Sequence, residues 1–84
     1  MRTPVVSAQF KRDVRTAEKR SKELTKLRAL ILLLVEADSL PSVYLDHPLN
    51  GRWKGFRDAH LESDWLLIYR IEGDDLLLVR TGSH

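Results

Sequence analysis

The chain has 84 residues, no cysteine and a formal net charge of +2, which sets it as a single small domain over 1–84 with little surplus stability. Lack of cysteine excludes disulfide staples, thiolate metal sites and a Cys nucleophile, and fits a reducing compartment, so a cytoplasmic location is expected. No apolar run reaches the ~20 residues a membrane span needs, and Met1-Arg2-Thr3-Pro4 lacks the apolar core of a signal peptide behind it, so no membrane partner is expected.

Charge is unevenly placed. Residues 1–28 carry nine Lys/Arg against three acids, a balance of +6, and the remainder sums to −4. A basic half suits a polyanion such as nucleic acid, although Lys and Arg are also good helix formers on solvated faces.

Thr3-Pro4-Val5-Val6-Ser7 reads as a short β-branched strand with Pro4 near its start. From Ala8 to Lys19, Phe10, Val14 and Ala17 recur at helical spacing, with Ser7 as N-cap. A second helix is expected from Lys22 to Ala37, capped by Ser21, with Glu23 in its first turn. Its stripe is Leu24, Leu27, Leu30, Ile31, Leu34 and Val35. The run Ala29–Val35 is apolar almost all round, which implies burial on more than one side, and Asp38-Ser39-Leu40-Pro41 ends the helix.

Residues 40–51 form a loop longer than the usual ~4–6 residues, the kind that often carries function. Arg52–His60 reads as a strand with Trp53, Gly55, Arg57 and Ala59 on one side and Lys54, Phe56, Asp58 and His60 on the other, unless Gly55 marks a bulge. A polar turn at Leu61–Asp64 leads to the strand Trp65–Ile71, and a turn at Glu72–Asp75 leads to the strand Leu76–Thr81. The order β-α-α-β-β-β predicts an α+β domain, two N-terminal helices on a mostly antiparallel four-stranded sheet.

Hairpin pairing would bring His60, Asp64 and His84 toward one sheet end, whereas His47 would join them only if its loop folds back. Two imidazoles and a carboxylate suit general acid–base cleavage of RNA, because imidazole titrates near working pH (~6.5). One group takes the 2′-OH proton, another protonates the leaving 5′-oxygen, and Arg80, Arg57, Arg52 or Lys54 could clamp phosphate. Each also has a plainer reading: Asp64 as a turn former, the tryptophans as core, the arginines as solvated surface. His60-x-x-x-Asp64 with His47 or His84 could also form a 2-His-1-carboxylate metal site, but the surrounding Arg and Lys charge disfavours a cation. No cofactor is expected.

The run YLDHPLNGRWKGFRDAHLESDWLLIYRIEGDDLLLVRTGSH, residues 44–84, resembles the YafQ branch of the RelE/ParE toxin superfamily. That branch has the signature DHPL.G.WKG.RD.H…DW.LIY followed by RTG(S/T)H. The helical segment KRDV…AEKR…L..L agrees with it too. The resemblance implies a RelE-like fold and the toxin half of a bacterial type II toxin–antitoxin pair. Such toxins associate with the ribosome and its rRNA and cut mRNA in the A site by metal-independent 2′-OH attack. A cognate antitoxin neutralises them, and the complex often represses its own operator DNA. By position, the resemblance implies that His47, His60, Asp64 and His84 form the acid–base set and that Arg80 binds the scissile phosphate. Trp65, Asp58, Lys54 and Arg57 follow as candidate substrate contacts. Members of the branch usually continue a few residues past the final histidine to a Leu-Phe pair, whereas this sequence ends at His84.

Two other functions fit the same fold. One is a non-catalytic protein that binds ribosome, antitoxin or, like ParE, DNA gyrase, since fold alone does not fix activity. The other is free RNA binding through the basic helices, which would be steeply salt-dependent.

Overall fold

The structure, a computed structural model, describes residues 1–36 and 40–83. Its elements are β1 (Thr3–Val6), α1 (Ala8–Lys19), α2 (Leu24–Glu36), β2 (His47–Pro48), β3 (Arg57–Glu62), β4 (Trp65–Glu72) and β5 (Asp75–Gly82), with 3₁₀ turns at Ser42–Tyr44 and Gly51–Trp53. The α+β order is as the sequence predicts, with one strand more than expected. Two expectations, the helix end at Asp38-Ser39 and the placement of His84, lie outside the described residues.

Ser7 caps α1, its side chain accepting from the Phe10 N–H at 2.9 Å. The far end of α1 closes differently from the sequence reading. Ser21 has φ +60°, its N–H donates to Glu18 O, and the Lys22 N–H donates to Ala17 O. That is a Schellman closure with serine in the left-handed position where glycine is usual. Ser21 therefore ends α1 rather than capping α2, which begins only at Leu24.

Within α2, Leu27, Leu30, Leu34 and Val35 are buried, but Leu32 is 57 % exposed. One stripe suffices because a single sheet lies beneath it, so the expected burial on more than one side does not occur. The stripe meets Phe10 and Ala17 of α1 and Ala59, Trp65, Leu67, Tyr69, Leu76 and Leu78 of the sheet. Each fully buried leucine contributes about 1.5–3 kcal/mol of transfer free energy.

The strand order is β1-β5-β4-β3-β2, with β1 parallel to β5 and the other pairs antiparallel. The extra strand is β2. The long loop does fold back, pairing His47 with Asp58 and Pro48 with Arg57. The strand expected from Arg52 begins only at Arg57, because Gly51–Trp53 turns as 3₁₀ and Gly55 sits at φ +94°. Gly55 thus precedes the strand and marks no bulge in it. Leu61 and Glu62, expected in the turn, belong to β3, with a bulge between His60 and Glu62.

A second bulge matters more. Ile68 pairs with Arg80 and Tyr69 with Leu78, so Val79 is the extra residue in β5. Leu76 and Leu78 face the helices, and the inserted residue flips the alternation so that Arg80 shares the opposite, open face with Ile68. Among the described residues, no helix is long and apolar enough to cross a membrane.

Candidate active site

The helices cover one face of the sheet and leave the other open. Directly paired residues share a face, so the registers define rows across it. His47, Asp58, Ile68 and Arg80 form one row over four strands, and His60, Leu66 and Gly82 form the next over three. At about 4.8 Å between strands, Asp58 and Arg80 stand roughly 10 Å apart along their row.

Asp58 is the centre of the first cluster. It is 4 % exposed, and its Oδ1 lies 3.2 Å from His47 Nδ1 and 3.8 Å from His60 Nδ1. Among the described residues that oxygen accepts no hydrogen bond of good geometry, an uncommon state for a buried carboxylate oxygen. The imidazole rings lie 6.2 Å apart, inclined at 30°. His47 Nδ1 is also 2.9 Å from Leu45 O. Both oxygens facing Nδ1 can act only as acceptors for it, an arrangement that suits the tautomer with the proton on Nδ1.

His47 reaches this place through Asp46. Asp46 accepts from Tyr69 Oη at 2.7 Å and from Arg57 Nε and Nη2 at 3.2 and 3.1 Å. Burial, then Asp46 itself, pushes the Tyr69 phenol above its ordinary range, so it stays a donor. The Asp46 hydrogen bond raises the Arg57 pKa in turn. This network lies on the helix-facing side and pins the loop beside β3.

Arg80 is held from the other direction. Its Nε and Nη2 donate to Asp13 of α1 at 2.9 and 3.4 Å. Desolvation would raise the Asp13 pKa, but donors from Arg80, Gln9 and the Thr81 N–H together hold it below its ordinary value. Beside Arg80, a hollow of about 180 Å³ on the open face is lined by Trp53, Leu66, Ile68, Gly82 and Ser83. Trp53 packs edge-on against Phe56 with centroids 5.5 Å apart. A second hollow, about 240 Å³, lies on the α1 side of Arg80 and includes Arg20, Lys22 and Asp64.

Several expected site residues lie elsewhere. Asp64 sits in the β3–β4 turn, exposed, 3.7 Å from Lys22 Nζ. The carboxylate beside the imidazoles is Asp58 instead, buried among them rather than offered to substrate. Trp65 is 2 % exposed and donates from Nε1 to Thr81 Oγ1 at 3.0 Å, so its ring offers no face to a base. Arg57 is engaged by Asp46 on the helix-facing side, away from the histidines. Lys54 is exposed beside the Gly51–Trp53 turn. Sequence reasoning missed Trp53 as the tryptophan on the open face and Asp13 as the partner of Arg80. Its reading of 52–60 as one strand put Trp53 on the face of Arg57, and Asp13 lies 67 positions from Arg80. Among the described residues, no group of three His, Cys, Asp or Glu side chains is arranged to hold a metal ion.

The family model described as "Bacterial toxin of type II toxin-antitoxin system, YafQ" matches residues 2–84. The mRNA interferase toxin YafQ of Escherichia coli K12 is 51 % identical over 79 residues, covering 93 % of this chain and 86 % of the relative. The crystal structure of YafQ from E. coli BL21(DE3) superposes with a TM-score of 0.94 at 47 % identity, over 100 % of this chain and 94 % of that one. YafQ in the E. coli DinJ–YafQ complex gives 0.92 at 48 % identity, with the same coverage.

Proposed function

The chain belongs to the YafQ family of bacterial type II toxins, and we propose that it is a ribosome-dependent endoribonuclease that cuts mRNA by acid–base catalysis. The observation that carries this reading is the pair of adjacent open-face rows in which the Asp58 carboxylate lies between His47 and His60 while Arg80 stands two strands from Asp58. An mRNA strand crossing the face would lay its scissile phosphate between the imidazoles and Arg80. One imidazole removes the 2′-OH proton, and O2′ bonds to phosphorus. The P–O5′ bond breaks, a second acid–base group gives its proton to O5′, and a 2′,3′-cyclic phosphate remains. Arg80 balances charge on the phosphate oxygens. The proposed acid–base set is His47, His60, Asp64 and His84, with Asp64 and His84 included on family resemblance. Asp58 orients, and Trp53 stacks on a base. The rRNA of the A site meets the basic helices.

Neutralisation by a cognate antitoxin follows from the same premise, as does operator binding by that complex. An apolar groove of about 270 Å³ along Phe10, Val14, Leu24, Leu27, Ile31 and Leu32, with Arg28 on its rim, supports a partner segment that is apolar and acidic.

Primer-extension mapping of a translated message tests the proposal. The parent should give discrete in-frame cuts, and His60→Ala should lower cleavage by about 10²-fold or more. No cuts by the parent would shift the assignment to a non-catalytic binding protein. Undiminished cutting by His60→Ala would remove His60 from the chemistry.

A further inference from the structure

We infer that Asp13 is a positioning residue for the cleavage reaction, fixing the Arg80 guanidinium so that its outer edge meets the phosphate. The inference rests on the proposed function and deepens it.

The need for such a residue comes from the sheet. β1 ends at Val6, opposite Leu78, so residues 79–82 of β5 have no strand on that side. Helix α1 supplies the missing partners. Ser7 Oγ donates to Val79 O at 2.9 Å, and the Thr81 N–H donates to Asp13 Oδ2 at 3.1 Å. The bulge at Val79 then sends Arg80 to the open face at this bare edge, where nothing in the sheet would fix so long a side chain.

Asp13 does fix it. Its side chain is 10 % exposed and itself immobilised, by the Thr81 N–H and by Gln9 Nε2 at 2.9 Å. It grips the guanidinium along the Nε–Nη2 edge. A guanidinium has five N–H donors in a rigid plane. Gripping one edge leaves both Nη1 hydrogens and the outer Nη2 hydrogen for a phosphate, in the geometry of bidentate recognition. The rotamer freedom of Arg80 is thus lost before RNA arrives. Asp13 reaches the reaction only through Arg80.

The test is a double-mutant cycle on translated mRNA with the parent, Asp13→Asn, Arg80→Ala and the double variant. Asn keeps an oxygen for the Thr81 N–H but loses the charged grip. Asp13→Asn should lower kcat about 10- to 100-fold with KM nearly unchanged, the scale set by small misplacements of catalytic groups. The double variant should be no slower than Arg80→Ala alone. Full activity of Asp13→Asn, or a double variant slowed by the product of the single effects, would overturn the inference. A readout independent of turnover is the Arg80 Nε–H resonance, sharp in the parent and exchange-broadened in Asp13→Asn; an unchanged resonance also counts against it. A parent that fails to cut removes the proposed function itself and the inference with it, an outcome distinct from an active parent with a multiplicative cycle.

Discussion

Replacing Asp46 by alanine tests whether the loop is held as the site requires. Asp46 is the acceptor for the Tyr69 hydroxyl at 2.7 Å, and Tyr69 is 2 % exposed. Removing the carboxylate strands that donor inside the protein, which costs about 1–3 kcal/mol. The Arg57 pair adds about 0–1 kcal/mol, because the Arg57 side chain is 42 % exposed and screened by water. Asp46→Ala should therefore destabilise by about 1–4 kcal/mol. At ~4–8 °C per kcal/mol for a domain this size, Tm falls by roughly 5–30 °C. Urea unfolding read by fluorescence of the buried Trp65 gives the number. The sharper comparison is with Asp46→Ala/Tyr69→Phe, where no donor is left stranded; it should be more stable than Asp46→Ala by about 1 kcal/mol. Asp46→Ala within 0.5 kcal/mol of the parent, or a double variant weaker than the single, would refute the reasoning. Cleavage should fall as well, because His47 follows Asp46 in the chain and loses its anchorage.

Ser21→Gly should raise stability by about 0.5–1 kcal/mol in thermal melts, since glycine relieves the left-handed position at some entropic cost in the unfolded chain; a loss would contradict the closure at φ +60°. Leu30→Ala should cost about 2–5 kcal/mol by chemical denaturation because Leu30 is 0 % exposed, while Leu32→Ala should stay within about 0.5 kcal/mol. Asp13 has a folded pKa below its ordinary 3.8, so its stabilisation is complete above that value and is lost as pH falls through the lowered folded value. The stability gap between the parent and Asp13→Asn should thus be full at neutral pH and narrow in acid, and a gap that widens in acid would reverse the sign of the argument.

Much of the frame was legible locally. Phe10, Val14 and Ala17 declare α1 because burial of one helical stripe depends on spacing alone, and its bounds Ala8–Lys19 agree with the reading. The alternation Arg57/Ala59 against Asp58/His60 also holds, because strand parity is local. Less legible was the end of α1, where Ser21 serves equally well in sequence as a cap for the next helix. The start of β3 was obscured by Gly55, whose positive φ could mean either a bulge or a turn before the strand. In the candidate site, the stretch from Asp46 to Trp65 was visible as chemistry-bearing, but which carboxylate meets the imidazoles was not: Asp58 and Asp64 differ only in how the hairpin carries them.

The sequence by itself determined both helices and four of the five strands in their order, the apolar stripe of α2, the β4–β5 hairpin and, through its motif, the family. These depend on residue spacing within one element or one turn. Only the tertiary structure decided that His47 folds back onto Asp58, that an extra residue at Val79 turns Arg80 to the open face, and that Asp13 waits there on α1. Each is a contact or register between distant parts of the chain. A bulge costs a strand one unpaired residue and reverses every side chain beyond it, so a local pattern of hydrophobicity leaves the face undetermined until neighbouring strands fix the register.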